Sequence, residues 1–358
     1  MQQRKLGRTG LDVGAIGLGT EYLLGASPET MASVVHHAVE AGANYVDLLY
    51  TYASFLADFS AALRGYREKL LIAVHLGGEE EGECSFGETL ARLNTDHADI
   101  ALLHMVDSEE RLDTWGMEIL GVARQYRQEG KVRFVGMSSH KAHVAAKAVT
   151  NGLIDVLMYP VNLAANLVPG NAELFALCAR HGVGLVAMKP YAGGQLLRKE
   201  GSVFLRWVQS GGESLKVEKS ATMTPVQCMS YVLSQPGVST VVPGVKNAEE
   251  LAEALAYFEA TDEEKDYSAL ITGVQSYPTG TCQYCNHCLP CPAEIDIAAT
   301  IRLLDSARQG LTEELRAAYS RLPAKASACT ACQACLERCP FDVDIVARMQ
   351  EAVALFES

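Results

Sequence analysis

Residues 70–105 read LLIAVHLGGEEEGECSFGETLARLNTDHADIALLHM. Two short aliphatic runs, LLIAVH and DIALLH, each end in a histidine, and the helix-patterned FGETLARL lies between them. A short apolar run followed by a longer amphipathic stretch reads as a strand followed by a helix. Outward from this segment, the same alternation fills residues 1–260. Strands are expected near Val13–Leu18, Asn44–Leu48, Leu70–Leu76, Asp99–Met105, Val132–Ser138, Asp155–Val161, Gly184–Lys189 and Ser239–Val242. Helices are expected at Pro28–Ala41, Ala53–Arg64, Phe86–Leu93, Asp113–Gln128, Lys141–Val149, Asn171–Arg180, Thr224–Ser234 and Asn247–Phe258. Ser27 before Pro28, and Thr224 before Pro225, are helix-start signals. Eight strand–helix pairs over about 250 residues predict an α/β fold, the (β/α)8 TIM barrel. The runner-up, an open doubly wound sheet, lacks the GxGxxG expected after its first strand.

The 358 residues leave room for one large domain and a small one. No apolar run reaches the roughly 18 residues of a membrane span. The opening MQQRKLGRTG has no apolar signal region, so a cytoplasmic protein is expected. The net charge of −13 argues against nucleic-acid binding and serves solubility.

Eight of the eleven cysteines fall in two runs of four near the end of the chain. The first is Cys282, Cys285, Cys288, Cys291, then Pro292; the second is Cys329, Cys332, Cys335, Cys339, then Pro340. The second run has the bacterial ferredoxin spacing, and the first is one residue shorter before its last cysteine. Two [4Fe–4S] clusters are expected. The ligand sets would be Cys282, Cys285, Cys288 with Cys339, and Cys329, Cys332, Cys335 with Cys291. One intact cluster with a damaged partner, zinc, and disulfides are the alternatives. The sequences AEIDIAATIRLLDSARQ, LTEELRAAYSRL and FDVDIVARMQEAVALF carry helical spacing. The expected organisation is a barrel over 1–260, a polar connector over 261–276, and an α-helical ferredoxin-like domain over 277–358. Cys178 and Cys228 fall within helical patterns and read as packing residues, and Cys84 as one without a chemical role.

Active sites of such barrels lie at the C-terminal ends of the strands. Asp47 ends the second strand, His75 the third and His104 the fourth. Ser138 and Ser139 end the fifth, Asn162 follows the sixth, and Lys189 ends the seventh. Several polar residues in register on neighbouring strands point to a site.

The segments RKLGRTGLDVGAIGLGT, NYVDLLYTY, TDHADIALLHMVDS, KVRFVGMSSH and VVPGVKNAEEL, in this order, resemble the aldo-keto reductases. The resemblance covers about residues 1–260, and the cysteine-rich end resembles the subgroup with a C-terminal [4Fe–4S] module. It implies a barrel that binds NADP(H) or NAD(H) and reduces a small carbonyl substrate. By position, Tyr52 would protonate the carbonyl oxygen, His104 would orient and polarise the substrate, and Asp47 would hold residue 75. Tyr50 is a second candidate acid. Residue 75 is lysine in the ordinary family and histidine here. A tyrosine acid needs a nearby cation, which lysine supplies permanently and histidine only in part. His75 therefore either replaces the lysine with weaker activity, donates the proton itself, or marks a barrel that has left carbonyl chemistry. The resemblance also implies that Ser138, Ser139, Asn162, Met188, Lys189, Lys246 and Asn247 hold the cofactor. Five of the cofactor positions depart from the family: Ser139 stands for Asn, Met158 for Gln, Met188 for a stacking Tyr, and Glu250 and Ala254 for the Gln and Asn that follow Lys246 and Asn247. Gly193–Gly194 and Gly211–Gly212 bracket a segment that is either a lid over the cofactor, lined by Tyr191, Leu197 and Trp207, or a packed surface helix.

Three function classes follow. The first is an NAD(P)H-dependent carbonyl reductase. The others are an iron–sulfur electron-transfer enzyme acting on a non-carbonyl substrate, and a binding protein on a degenerate barrel. The clusters would relay electrons from an external ferredoxin or flavodoxin, or staple a small domain.

Overall fold

The computed structural model describes residues 1–78, 80–168, 170–198, 202–204, 216–218, 222–267, 275–276, 282, 288–307, 311–339 and 343–357. It divides into two compact units, Met1–Gly201 with Ser220–Gly273, and Ser202–Lys219 with Val274–Ser358. The segment Ser202–Lys219, read from sequence with the barrel, thus groups with the C-terminal unit.

The strands in chain order are β1 (Gln3–Lys5), β2 (Asp12–Gly14), β3 (Leu18–Gly19), β4 (Tyr45–Leu48), β5 (Leu71–Leu76), β6 (Ala98–Leu103) and β7 (Val132–Ser138). They continue as β8 (Val156–Pro160), β9 (Gly184–Met188), β10 (Ser202–Phe204), β11 (Lys216–Glu218), β12 (Val238–Val242) and β13 (Gln275–Ser276). Eight of them form one parallel sheet in the order β12-β9-β8-β7-β6-β5-β4-β3. Parallel bridges from Ile16 to Val241 and from Gly19 to Gly244 join its two ends, closing the (β/α)8 barrel. β5 and β6 are buried along nearly their whole length, as strands covered on both faces must be.

The helices start where side chains satisfy orphan backbone amides. Ser27 accepts from Thr30 N ahead of Pro28–Glu40. Ser85 with Glu88, and Thr224 with Gln227, form reciprocal capping boxes ahead of Phe86–Arg92 and Pro225–Ser234. The other barrel helices include Ala53–Ala62, Ala142–Thr150, Asn171–His181 and Ala248–Leu255. The helix expected from Asp113 begins at Glu109 instead, because Ser108 caps it, and it passes through a π turn at Leu112–Gly116 before Met117–Gln128.

The expected first strand, Val13–Leu18, is divided. Asp12–Gly14 pairs antiparallel with β1, and the barrel strand is Leu18–Gly19. The β1–β2 hairpin puts Leu6, Leu11 and Val13 into the apolar cluster of the barrel interior. Gly7 makes this seat possible: it has φ +50°, and a Cβ there would lie 2.3 Å from Gly184 N. Arg8 and Arg127 both reach Asp155, which pins the hairpin to the barrel wall.

The C-terminal unit contains the helices Ile297–Ser306, Glu313–Ser320, Ala334–Arg338 and Ile345–Phe356, with Asp296, Thr312 and Asp344 capping three of them. Its core includes Ile297, Ile301, Leu304, Tyr319, Ile345 and Met349. A small antiparallel sheet, β10-β11-β13, belongs to it. Ser202–Phe204 is therefore strand, not part of the surface helix allowed for by the sequence, and Trp207 lies outside the described residues. No described helix is long and apolar enough to cross a membrane.

Candidate active site

Strand geometry assembles this site two residues above the barrel core. Side chains alternate along a strand, so residues i and i+2 share a face. Tyr45 on β4, Ala73 on β5, and Ile100 and Leu102 on β6 belong to the interior cluster. The next inward positions are Asp47, His75 and His104. β5 pairs with both β4 and β6, so the three side chains become neighbours.

They form one hydrogen-bonded chain. His75 Nε2 lies 2.8 Å from Asp47 Oδ1, and His75 Nδ1 lies 3.0 Å from His104 Nδ1. Asp47 and His75 are 8% and 9% exposed, whereas His104 is half-buried and faces the mouth. The two imidazoles meet edge to face, with centroids 5.0 Å apart. Burial, followed by the neighbouring His75, depresses His104 to about 4, with smaller downward contributions from Arg111 and His140 and an opposing one from Asp47. His104 is therefore a neutral imidazole at pH 7. Gly78 makes room for its ring, since a Cβ there would lie 2.3 Å from His104 Cδ2. Trp115, on the π turn, packs over Gly77 and carries the Arg111 guanidinium 3.9 Å from its ring centre.

Tyr52 is oriented differently from the family expectation. Its hydroxyl donates to Glu80 Oε2 at 2.8 Å, and Tyr52 is bridged to Glu83 through the backbone. The Glu80 hydrogen bond, with the charges of Glu80 and Glu83 adding to it, pushes Tyr52 up to about 12. Its partner is thus a carboxylate, the opposite of the cation that an acidic tyrosine needs. Tyr50 is also raised, by burial and then by Glu21, Glu80 and Glu83.

A second chain crosses the mouth from the loop after β6 to the end of β9. Asp107 Oδ2 lies 2.9 Å from His140 Nδ1, and His140 Nε2 lies 3.0 Å from Lys189 Nζ. Burial alone would raise Asp107, but its hydrogen bonds to His140 and Ser139 hold it below the usual carboxylate range. Burial lowers Lys189, against the pull of Glu21 and Asp107. His140 and Glu80 escaped the sequence reading. The SSH tripeptide at 138–140 offered a signal for His140; Glu80 offered none, because its contact depends on how the loop after β5 folds back.

The expected cofactor residues are distributed unevenly. Ser138 Oγ accepts from Met105 N, and Ser139 Oγ donates to Val106 O at 2.7 Å, so both hydroxyls tie down the loop after β6. Asn162 is fully buried; it accepts from Ala164 N and Ala165 N and donates to Lys189 O. Met188 and Lys189 are half-buried at the end of β9. Beyond them Gly193 and Gly194 turn with positive φ, and no atom lies within 4 Å of where their Cβ atoms would be. Such an open glycine turn with a lysine at its base fits a phosphate-bearing cofactor. Lys246 is exposed, and Asn247 caps Ala248–Leu255 by accepting from Glu250 N. Glu250 Oε2 in turn accepts from Lys246 N at 2.9 Å. This carboxylate satisfies the Lys246 amide just ahead of the helix. Tyr191 is half-buried, and its desolvation raises it well beyond the ordinary tyrosine range.

The comparisons with known proteins agree with this geometry. Residues 11–271 match the model of the aldo/keto reductase family. The chain belongs to the aldo/keto reductase family. It is 27% identical over 283 residues to the uncharacterized oxidoreductase YqkF of Bacillus subtilis, covering 71% of this chain and 90% of that protein. It is 27% identical over 291 residues to L-galactose dehydrogenase of Arabidopsis thaliana, covering 72% and 88%. Among solved structures, the aldo-keto reductase AKR11C1 of Bacillus halodurans superposes with a TM-score of 0.58 at 23% identity, over 74% of this chain and 94% of that one. This aldo/keto reductase is an oxidoreductase enzyme. The family match ends at residue 271, before the cysteine runs.

In the C-terminal unit, Cys291, Cys329, Cys332 and Cys335 line one pocket together with Ile295 and Met349. Burial first, and then the charges of Cys329, Cys332 and Cys291, raise the Cys335 thiol. Cysteine sulfur is the donor type that an iron–sulfur cubane takes, so the chemistry of this donor set fits one. Cys288 and Cys339 are buried in the apolar core, and Cys282 packs against it. Their expected partner Cys285 lies outside the described residues. Among the described residues no group of three His, Cys, Asp or Glu side chains is already arranged to hold a single metal ion.

Proposed function

We propose that the chain is a cytoplasmic NAD(H)- or NADP(H)-dependent reductase of a small carbonyl compound, with two [4Fe–4S] clusters in its C-terminal unit. The observation that carries the reductase reading is the Asp47–His75–His104 chain at the mouth of an aldo/keto reductase barrel. When bound, the reduced nicotinamide supplies a hydride. Met188 would present an apolar surface to its ring, and Lys189 with the Gly193–Gly194 turn would receive its phosphates. Lys246 and Asn247 remain the candidates for the adenine end. Because Glu250 places a carboxylate there, NADH is the better substrate of the two. His104 offers its outer nitrogen to the carbonyl oxygen, and Asp47 fixes the ring of His75. No nucleic-acid or membrane partner is needed.

One cluster would be held by Cys329, Cys332, Cys335 and Cys291, the other by Cys282, Cys285, Cys288 and Cys339. A [4Fe–4S] cluster changes by one electron and a hydride carries two, so the clusters do not take the hydride directly. The position of Cys288 and Cys339 in the apolar core favours clusters that hold this unit folded. Electron delivery from an external ferredoxin or flavodoxin is the second reading. Anaerobic purification with iron and sulfide counts tests the clusters; about eight of each per chain are expected. NADH and NADPH oxidation, followed together with cluster absorbance over a panel of aldehydes, ketones and sugars, tests the activity. Oxidation with silent clusters supports the structural role, and bleaching by NAD(P)H supports the relay. The absence of any carbonyl-dependent oxidation would refute the reductase reading.

A further inference from the structure

The contact between His75 and His104 has a consequence that neither residue carries alone. Two ring nitrogens 3.0 Å apart share one proton: one must donate and the other accept. The other nitrogen of His75 faces Asp47 Oδ1 at 2.8 Å, and a carboxylate only accepts, so His75 Nε2 carries hydrogen. Two arrangements remain. With His75 neutral, its Nδ1 accepts from His104 Nδ1–H, and His104 Nε2 presents a bare lone pair. With His75 protonated, its Nδ1–H donates to His104 Nδ1, and His104 Nε2 carries hydrogen. The charge state of His75 thus decides whether the outer nitrogen of His104 gives or takes a proton. In the second arrangement the positive charge lies on the ring whose Nε2 faces Asp47 Oδ1 at 2.8 Å. No described residue hydrogen-bonds His104 Nε2. The hydroxyl of Tyr52, meanwhile, is held by Glu80.

We propose that His104 Nε2 exchanges the proton with the substrate oxygen, that His75 supplies or receives it through the shared Nδ1 contact, and that Tyr52 stands outside the proton transfer. This rests on the carbonyl-reductase reading and assigns its acid. In reduction the carbonyl carbon gains the nicotinamide's hydride. The π electron pair moves to oxygen, which takes the Nε2 proton of His104. The electrons of that N–H bond stay on His104, whose Nδ1 takes the proton of His75 Nδ1. His75 ends neutral, with its Nε2–H still on Asp47, and regains a proton from solvent. Alcohol oxidation runs the same path backwards. The groups that set its pH dependence are Asp47 from β4, Arg111 and Asp107 after β6, His140 after β7 with Lys189, and the two histidines.

The relay is tested on the full chain without cofactor, by 15N NMR of histidine-labelled protein across pH. As His75 gains its proton, His104 should change from the Nδ1–H to the Nε2–H tautomer without becoming an imidazolium. An unchanged His104 tautomer, or a His104 that charges before His75, overturns the relay. The kinetic arm is Tyr52→Phe, which should keep kcat within about 3-fold of wild type. A loss of about 100-fold or more, the size of effect expected when a general acid is removed, returns the acid to Tyr52 and refutes its exclusion. The NMR arm needs no substrate, so failure of the relay and failure of the reductase reading give different results.

Discussion

The barrel and the C-terminal unit hold their polar groups in different ways. In the barrel, Asp47, His75 and His104 stand one layer above Tyr45, Ala73, Ile100 and Leu102, so packing that is complete without any cofactor fixes their separations. In the C-terminal unit several cysteines belong to the core itself: Cys288 and Cys339 are buried in it, and Cys291, Cys329 and Cys335 pack against it, while Cys332 is exposed. One region uses its fold to place chemistry. The other, on the proposed reading, would rely on bound clusters to complete a fold that is too small to build a large core.

The comparison breaks most readily at the metal. If the proposed clusters hold this unit, chelating iron, or replacing Cys332 and Cys335 together by Ser, should melt the C-terminal helices, because ligand binding and folding would then be one equilibrium. Circular dichroism and limited proteolysis would then find Met1–Gly201 with Ser220–Gly273 intact. An apo protein whose C-terminal helices survive would remove the contrast.

The barrel should be sensitive to packing instead. Gly7→Ala places a Cβ 2.3 Å from Gly184 N at a φ of +50°, and a cost of about 2–3 kcal/mol is expected. A barrel of this size would lose several degrees of Tm, with iron content unchanged. Acid sharpens the same point. The folded barrel holds His104 near 4, below its unfolded value of 6.5, so the unfolded chain binds the extra proton between these values. This group therefore costs nothing above pH 6.5, and barrel stability should fall as the pH drops from 6.5 towards 4. Thermal melts at pH 7, 6 and 5 would measure it, and His104→Gln should flatten the slope. The smallest effect is expected at Glu250. Removing its charge with Glu250→Gln should lower the KM for NADPH by a few-fold and leave that for NADH nearly unchanged.

The same contrast explains what the sequence reveals. Alternation along Asn44–Leu48, Leu70–Leu76 and Asp99–Met105 sets which residues face inward, so Asp47, His75 and His104 are legible before any coordinates. Periodicity of apolar residues likewise reveals Ile297–Ser306 and Ile345–Phe356. Loop geometry is not legible. The Tyr52–Glu80 bond depends on the return of the chain after Gly77 and Gly78, and the His140–Lys189 bond on two loops 49 residues apart. Ser202–Phe204 is strand because of Lys216–Glu218 and Gln275–Ser276, partners that local pattern does not announce.

The central claim is that the barrel reduces carbonyls with a proton delivered from His104. It is tested most directly by kcat/KM for NADH-linked carbonyl reduction in His104→Gln, with an unchanged fold verified by circular dichroism. The account predicts a fall of about 100-fold or more. Activity within about 3-fold of wild type would contradict it.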